Sequence, residues 1–96
     1  MSYTVQIKEQ IRTFQATLGS DARRDLKCAI LRLADEAGDI KALRDNLAGY
    51  YRLRVGRYRM VFRYLPGRVV DGVYLDERAL VYEIFESEMV RLLGRK

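Results

Sequence analysis

After Gly49 the hydrophobic period of this chain changes from 3.6 residues to 2, and that change constrains the fold more than any other feature. Tyr51, Leu53 and Val55 alternate with Tyr50, Arg52 and Arg54 up to Gly56. Tyr58, Met60, Phe62 and Tyr64 then alternate with Arg57, Arg59 and Arg63 up to Pro66-Gly67, a turn signal in which Gly supplies the positive φ. With Gly56-Arg57 as a two-residue turn, Gly first, Val55 pairs with Tyr58, Leu53 with Met60, Tyr51 with Phe62 and Arg54 with Arg59. This register puts the apolar residues on one face and Arg52, Arg54, Arg59 and Arg63 on the other. A slip of one residue would destroy that partition.

The N-terminal half has a different rhythm. Tyr3, Val5 and Ile7 alternate as in a strand. Ile11, Phe14 and Leu18 follow at helical spacing, and Gly19 stops the helix. Ser20 is placed to cap a second helix, with Asp21 in its first turn. Ala22, Leu26, Ala29, Ile30, Leu33, Ala34 and Ala37 form one apolar stripe, and Gly38 stands where a C-terminal cap is expected. Residues 39–49 read as a connector with one helical turn that places Ile40, Leu43 and Leu47 inward. A third strand is expected over 68–75, where Asp71-Gly72 interrupts the alternation and marks a bulge or bend. From Arg78 onward Val81, Ile84, Phe85, Met89 and Leu92 suit a closing helix, although residues 80–85 equally suit the start of a strand. The expected architecture is α+β, one domain over residues 1–96: an N-terminal helical hairpin packed on a small twisted antiparallel sheet, with a short C-terminal helix.

Charge follows the same division. Residues 46–70 contain no Asp or Glu and six arginines: Arg52, Arg54, Arg57, Arg59, Arg63 and Arg68. The rest of the chain is nearly balanced, so this segment supplies the whole of the +5 net charge. Arginine outnumbers lysine 14 to 4, and its planar fork suits bidentate phosphate contacts and stacking on bases. The pair Arg54 and Arg59, directly opposed, costs a few tenths to roughly 1 kcal/mol. A solvated face has no need of that cost, whereas a phosphate site needs both cations together.

The composition also excludes chemistries. The chain has no histidine, so it has neither an imidazole base nor a histidine-ligated metal. Its single cysteine, Cys28, forms no internal disulfide and reads as a small packing residue on the second helix. The N-terminus lacks a secretory pattern and no apolar run reaches membrane-spanning length, so a cytoplasmic protein without a membrane partner is expected. No Gly-rich phosphate loop is present, and no cofactor or metal is implied. An arginine and tyrosine site remains. Such a site can support cleavage of RNA by its own 2′-hydroxyl if cations neutralise the phosphorane and other groups accept and donate protons.

The run Leu-Ala-Gly-Tyr-Tyr-Arg-Leu-Arg-Val-Gly-Arg-Tyr-Arg-Met-Val-Phe-Arg-Tyr over residues 47–64 resembles the signature of the RelE/ParE toxin superfamily. Chain length, element order and the Arg78…Tyr82 spacing extend the resemblance to nearly the whole chain. It implies the toxin of a type II toxin–antitoxin (plasmid-stabilisation) pair, with a cognate antitoxin as partner. The RelE branch cuts messenger RNA on the ribosome, which implies a metal-independent, ribosome-dependent endoribonuclease here. The resemblance assigns the catalytic positions to Arg52, Arg54, Arg59, Arg78 and Tyr82; Arg57, Arg63 and Tyr50, on the same hairpin, are candidate substrate-binding residues. Two departures stand out. The paired strand lysines of the best-known RelE toxins are Arg52 and Arg54 here, and arginine is a poor general base. Glu77 stands where a histidine often precedes the C-terminal arginine. The rival expectation is a ParE-like, non-enzymatic inhibitor of DNA gyrase; a third is a toxin fold that keeps only antitoxin or RNA binding.

Overall fold

The computed structural model describes residues 2–77. Strand β1 (Thr4–Ile7) leads into helices α1 (Glu9–Ala16) and α2 (Ser20–Leu31), and a 3-10 turn (Arg32–Asp35) prolongs the second. Strand β2 (Asp39–Ala42), a 3-10 turn (Asp45–Leu47), and strands β3 (Tyr50–Val55), β4 (Tyr58–Leu65) and β5 (Val69–Asp76) complete the described chain. The sheet order is β1-β5-β4-β3-β2. The protein is thus α+β, as the pattern of periods implies.

The sheet is mixed and not wholly antiparallel as expected: β1 runs parallel to β5. The helical segment carries the chain from one sheet edge to the other, so β2 starts at the far side. Three antiparallel pairings then bring β5 back beside β1 in the same direction. The expected closing helix, Arg78, Tyr82 and the helix-or-strand alternative for residues 79–85 lie outside the described residues.

The central hairpin has the register that its alternation dictates: Val55 with Tyr58, Leu53 with Met60, Tyr51 with Phe62 and Arg54 with Arg59. Gly56 turns the chain at φ 60, as a two-residue hairpin loop with Gly first requires. At the next corner Gly67 has φ 85. The expected irregularity near Asp71-Gly72 is present as a register shift opposite Val61 and Phe62. A Cβ on Gly72 would stand 3.0 Å from Ile11, 3.1 Å from Ile7 and 3.2 Å from the Met60 sulfur. Close packing of the first helix over the bulge therefore requires glycine there.

The core lies between the helices and one sheet face. Ile11, Leu26, Ile30 and Leu33 meet Leu53, Met60, Phe62, Val70 and Leu75, all buried. Four local expectations are corrected. Ser20 is the first residue of α2 and makes no side-chain cap; Gly19 holds the N-cap position. The helical stretch ends before Gly38, and Glu36 takes the left-handed C-cap conformation at φ 54. Cys28 is exposed, because it lies just off the stripe that Leu26, Ala29 and Ile30 bury. Residues 39–42 form an edge strand, which puts Ile40 against the core. Leu47 is buried, but on the opposite face, against Val61. No helix among the described residues is long and apolar enough to cross a membrane.

Candidate anion-binding cleft

The sheet face away from the helices carries Arg52 and Arg54 on β3, and Arg59, Val61 and Arg63 on β4. Val61 is fully buried with Leu47, and Leu43, Tyr50, Val73 and Tyr74 pack around them. This small apolar cluster accompanies two polar regions with different electrostatics.

The first region is a buried carboxylate. Asp71 is 1% exposed. Its Oδ2 accepts a hydrogen bond from Arg63 Nε at 3.0 Å and lies 3.5 Å from Lys8 Nζ, while Gln6 Nε2 donates to Oδ1 at 3.0 Å. Burial pushes the Asp71 carboxyl up, but the hydrogen bonds from Gln6 and Arg63 and the charges of Lys8 and Arg63 outweigh it and hold the group below its ordinary value. Arg63 is therefore a tie between β4 and β5, and its charge is balanced.

The second region is a cleft of about 530 Å³ lined by Lys41, Ala42, Leu43, Arg44, Arg52, Arg54 and Arg59. Five of the seven lining residues are cationic and none is acidic. Strand β2 brings Lys41 opposite Arg52. The loop after β2 contributes Arg44, and the central hairpin contributes the opposed Arg54 and Arg59. Arg52 is held in place: its Nη2 is 3.4 Å from Asp39 Oδ1, and its side chain is 13% exposed. Arg54 is exposed, with only a 3.5 Å contact from Nε to the Gly56 carbonyl. Lys41, Arg44 and Arg59 have no carboxylate partner among the described residues. Like charges this close leave a strongly positive potential that a bound anion would relieve.

The structure thus brings together three of the expected site residues, Arg52, Arg54 and Arg59, and separates the others. Arg57 sits on the hairpin turn, 4.0 Å from Glu77 and over the Tyr58 ring. Arg63 is tied to Asp71, and Tyr50 is half-buried in the apolar cluster. Arg78 and Tyr82 lie outside the described residues. Lys41 and Arg44 are additions. The alternation of Asp39, Ile40, Lys41 and Ala42 carried a signal for Lys41, but four residues are too few to tell a strand from a connector.

A helix pair on one face of a five-stranded mixed sheet, with a cleft of five cationic and no acidic lining residues on the other, defines a small α+β domain with a concentrated positive surface. No protein-family model matches the sequence, and no curated protein is significantly similar to it. Solved toxin structures do match. The toxin–antitoxin complex RelBE2 from Mycobacterium tuberculosis aligns at a TM-score of 0.72 and 26% identity, over 81% of this chain and 100% of that one. A mutant of the E. coli toxin RelE in the free state gives 0.69 and 20%, over 94% and 99% of the two chains. The archaeal RelE–RelB complex from Pyrococcus horikoshii gives 0.63 and 24%, over 82% and 98%. The fold is that of the RelE/ParE toxin superfamily.

Proposed function

We propose that this protein is the toxin of a type II toxin–antitoxin pair, that it cleaves messenger RNA on the ribosome, and that a cognate antitoxin neutralises it. The cleft carries the proposal: five cations from three segments line it with no acidic lining residue, Arg52 alone of them being ion-paired among the described residues, on the fold of proteins solved as RelE toxins and RelB–RelE complexes. A phosphodiester supplies the negative charge that this cluster lacks. The 2′-hydroxyl attacks the adjacent phosphorus, the P–O5′ bond breaks, and a 2′,3′-cyclic phosphate and a 5′-hydroxyl end result. Arg54 and Arg59 neutralise the phosphorane oxygens. Arg52, fixed by Asp39, orients the backbone. Of the five cleft cations Lys41 alone has a side chain that readily exchanges a proton. Glu77 lies beside Arg57 and does not line the cleft. Tyr82 is proposed to protonate the 5′-oxygen or to stack on a base, and Arg78 to add a further phosphate contact.

Cleavage of ribosome-bound message by purified protein tests this directly. Arg59→Ala should abolish cutting. Tyr82→Phe should lower it by about 10²–10⁴, the loss typical of one acid–base group, with RNA affinity retained. Intact messages together with inhibited DNA gyrase would overturn the nuclease function.

A further inference from the structure

Attack by a 2′-hydroxyl needs a group that takes its proton, and the cleft is lined by cations. Two carboxylates are buried among the described residues, Asp71 at 1% and Asp76 at 6% exposure. Asp71 is committed to Arg63, Lys8 and Gln6 and ties β4 to β5. Asp76, at the other end of β5, has no part in that tie. Its register pairs it with Arg59, as Leu75 pairs with Met60 and Tyr74 with Val61. Met60 and Leu75 lie in the core beneath the helices, whereas Val61 and Tyr74 pack together on the opposite face. By alternation Arg59 and Asp76 share that opposite face, where the cleft is. The carboxylate is oriented as well as placed: its Oδ1 accepts a hydrogen bond from the Glu77 backbone N–H at 2.7 Å. Around it stand Arg59 on β4, Arg54 beyond that on β3, and Glu77 with Arg57. Asp76 thus lies outside the cleft lining, one strand beyond the pair Arg54 and Arg59, at a spacing of about 4.8 Å that a single ribose spans.

We propose that Asp76 is the proton acceptor of the cleavage reaction, an inference that rests on the nuclease function above. With the scissile phosphate on Arg54 and Arg59, the ribose whose 3′-oxygen carries it extends toward β5 and presents its 2′-hydroxyl to the carboxylate. Hydrogen bonds of this kind close up when substrate seats. The proton of the 2′-hydroxyl passes to Asp76, the O2′–P bond forms, and the P–O5′ bond breaks. The electron pair of the broken bond leaves with the 5′-oxygen, which takes a proton from Tyr82 in the function proposed above. The Asp76 carboxylic acid then returns its proton to water, and the tyrosine regains one from it.

Asp76→Asn is the informative variant, because the amide oxygen still accepts the Glu77 N–H and only the basicity is lost. Its single-turnover cleavage of ribosome-bound message should fall by about 10²–10⁴. RNA affinity should hold or rise, since a negative charge beside the arginines is gone. The wild type gives a second readout that needs no variant to fold. Its single-turnover rate should fall about tenfold per pH unit along an acid limb, as the carboxylate takes up its proton. Asp76→Glu, which keeps a carboxylate, should keep that limb. Equal cutting by wild type and Asp76→Asn, or a wild-type rate that stays flat in acid while the protein remains folded, would overturn the inference. So would an affinity loss that matches the loss of cutting, since Asp76 would then only support Arg59. An acid limb that Lys41→Arg removes and Asp76→Asn retains would give the role to Lys41. In all of these outcomes the wild type still cuts. A wild type that leaves message intact would instead sink the nuclease function, and this inference with it.

Discussion

Arg59 is subject to opposing influences from its two neighbours across the sheet. Arg54 stands opposite it on β3, and Asp76 on β5. A like-charged cross-strand partner costs a few tenths to about 1 kcal/mol and an opposite-charged one returns a similar amount. Arg59→Thr should therefore leave stability within about 0.5 kcal/mol of wild type while RNA affinity falls sharply, as equilibrium unfolding and a binding titration would show. A large loss of stability would make Arg59 a structural residue. Asp71 is the opposite case. Its folded-state carboxyl is held below its ordinary value, so it contributes stability that is fully present above that value and is lost as pH falls toward and through the lowered one. Asp71→Asn should lower stability at neutral pH by on the order of 3 kcal/mol, because Arg63 and Lys8 lose their shared counter-charge. It should also flatten the acid limb of a Tm-against-pH curve.

Among the elements, the β4–β5 pair is the most demanding, since a bulge and a close helix contact coincide at Gly72. Gly72→Ala should destabilise the fold by about 1–3 kcal/mol through overpacking against Ile11, Ile7 and Met60. A denaturant midpoint that drops without a change in slope would confirm a packing effect in the native state. No change in midpoint would mean that the three side chains can yield. The first elements also frame the cleft. Helices α1 and α2 cover one sheet face, while β2 at the far edge positions Lys41 and, just beyond, Arg44.

For the whole molecule, the positive excess proves smaller on the central segment than a count along the chain implies. Asp39, Glu77 and Asp71 come from elsewhere to stand against Arg52, Arg57 and Arg63. Arg68 lies over the Tyr3 ring, far along the strand from the cleft. The field that remains is concentrated where Arg54 and Arg59 meet Lys41 and Arg44. Lys41→Ala combined with Arg44→Ala should thus weaken binding of single-stranded RNA and reduce the slope of log K against log salt by about 1.4, near 0.7 for each phosphate no longer neutralised. Arg57→Ala, out on the turn, should change that slope little. An unchanged slope in the double variant would exclude Lys41 and Arg44 from the anion site.

What the sequence determined by itself was local. Alternation about a Gly-first turn set the β3–β4 register and hence the opposition of Arg54 and Arg59, and the apolar stripe placed Leu26, Ile30 and Leu33 in the core. Turn geometry and side-chain period act over a few residues, so they are written in a few residues. Even there a single position mattered: Cys28 lies just off the stripe and is exposed. The tertiary structure decided everything that depends on which distant strands become neighbours. It set β5 parallel to β1, made an edge strand of Asp39–Ala42, gave Arg52 and Arg63 their carboxylates, and added Lys41 and Arg44 to the cleft. Electrostatics follows distance in space, and neither the four-residue alternation of β2 nor the spacing of Asp71 along the chain records which arginine each segment will meet.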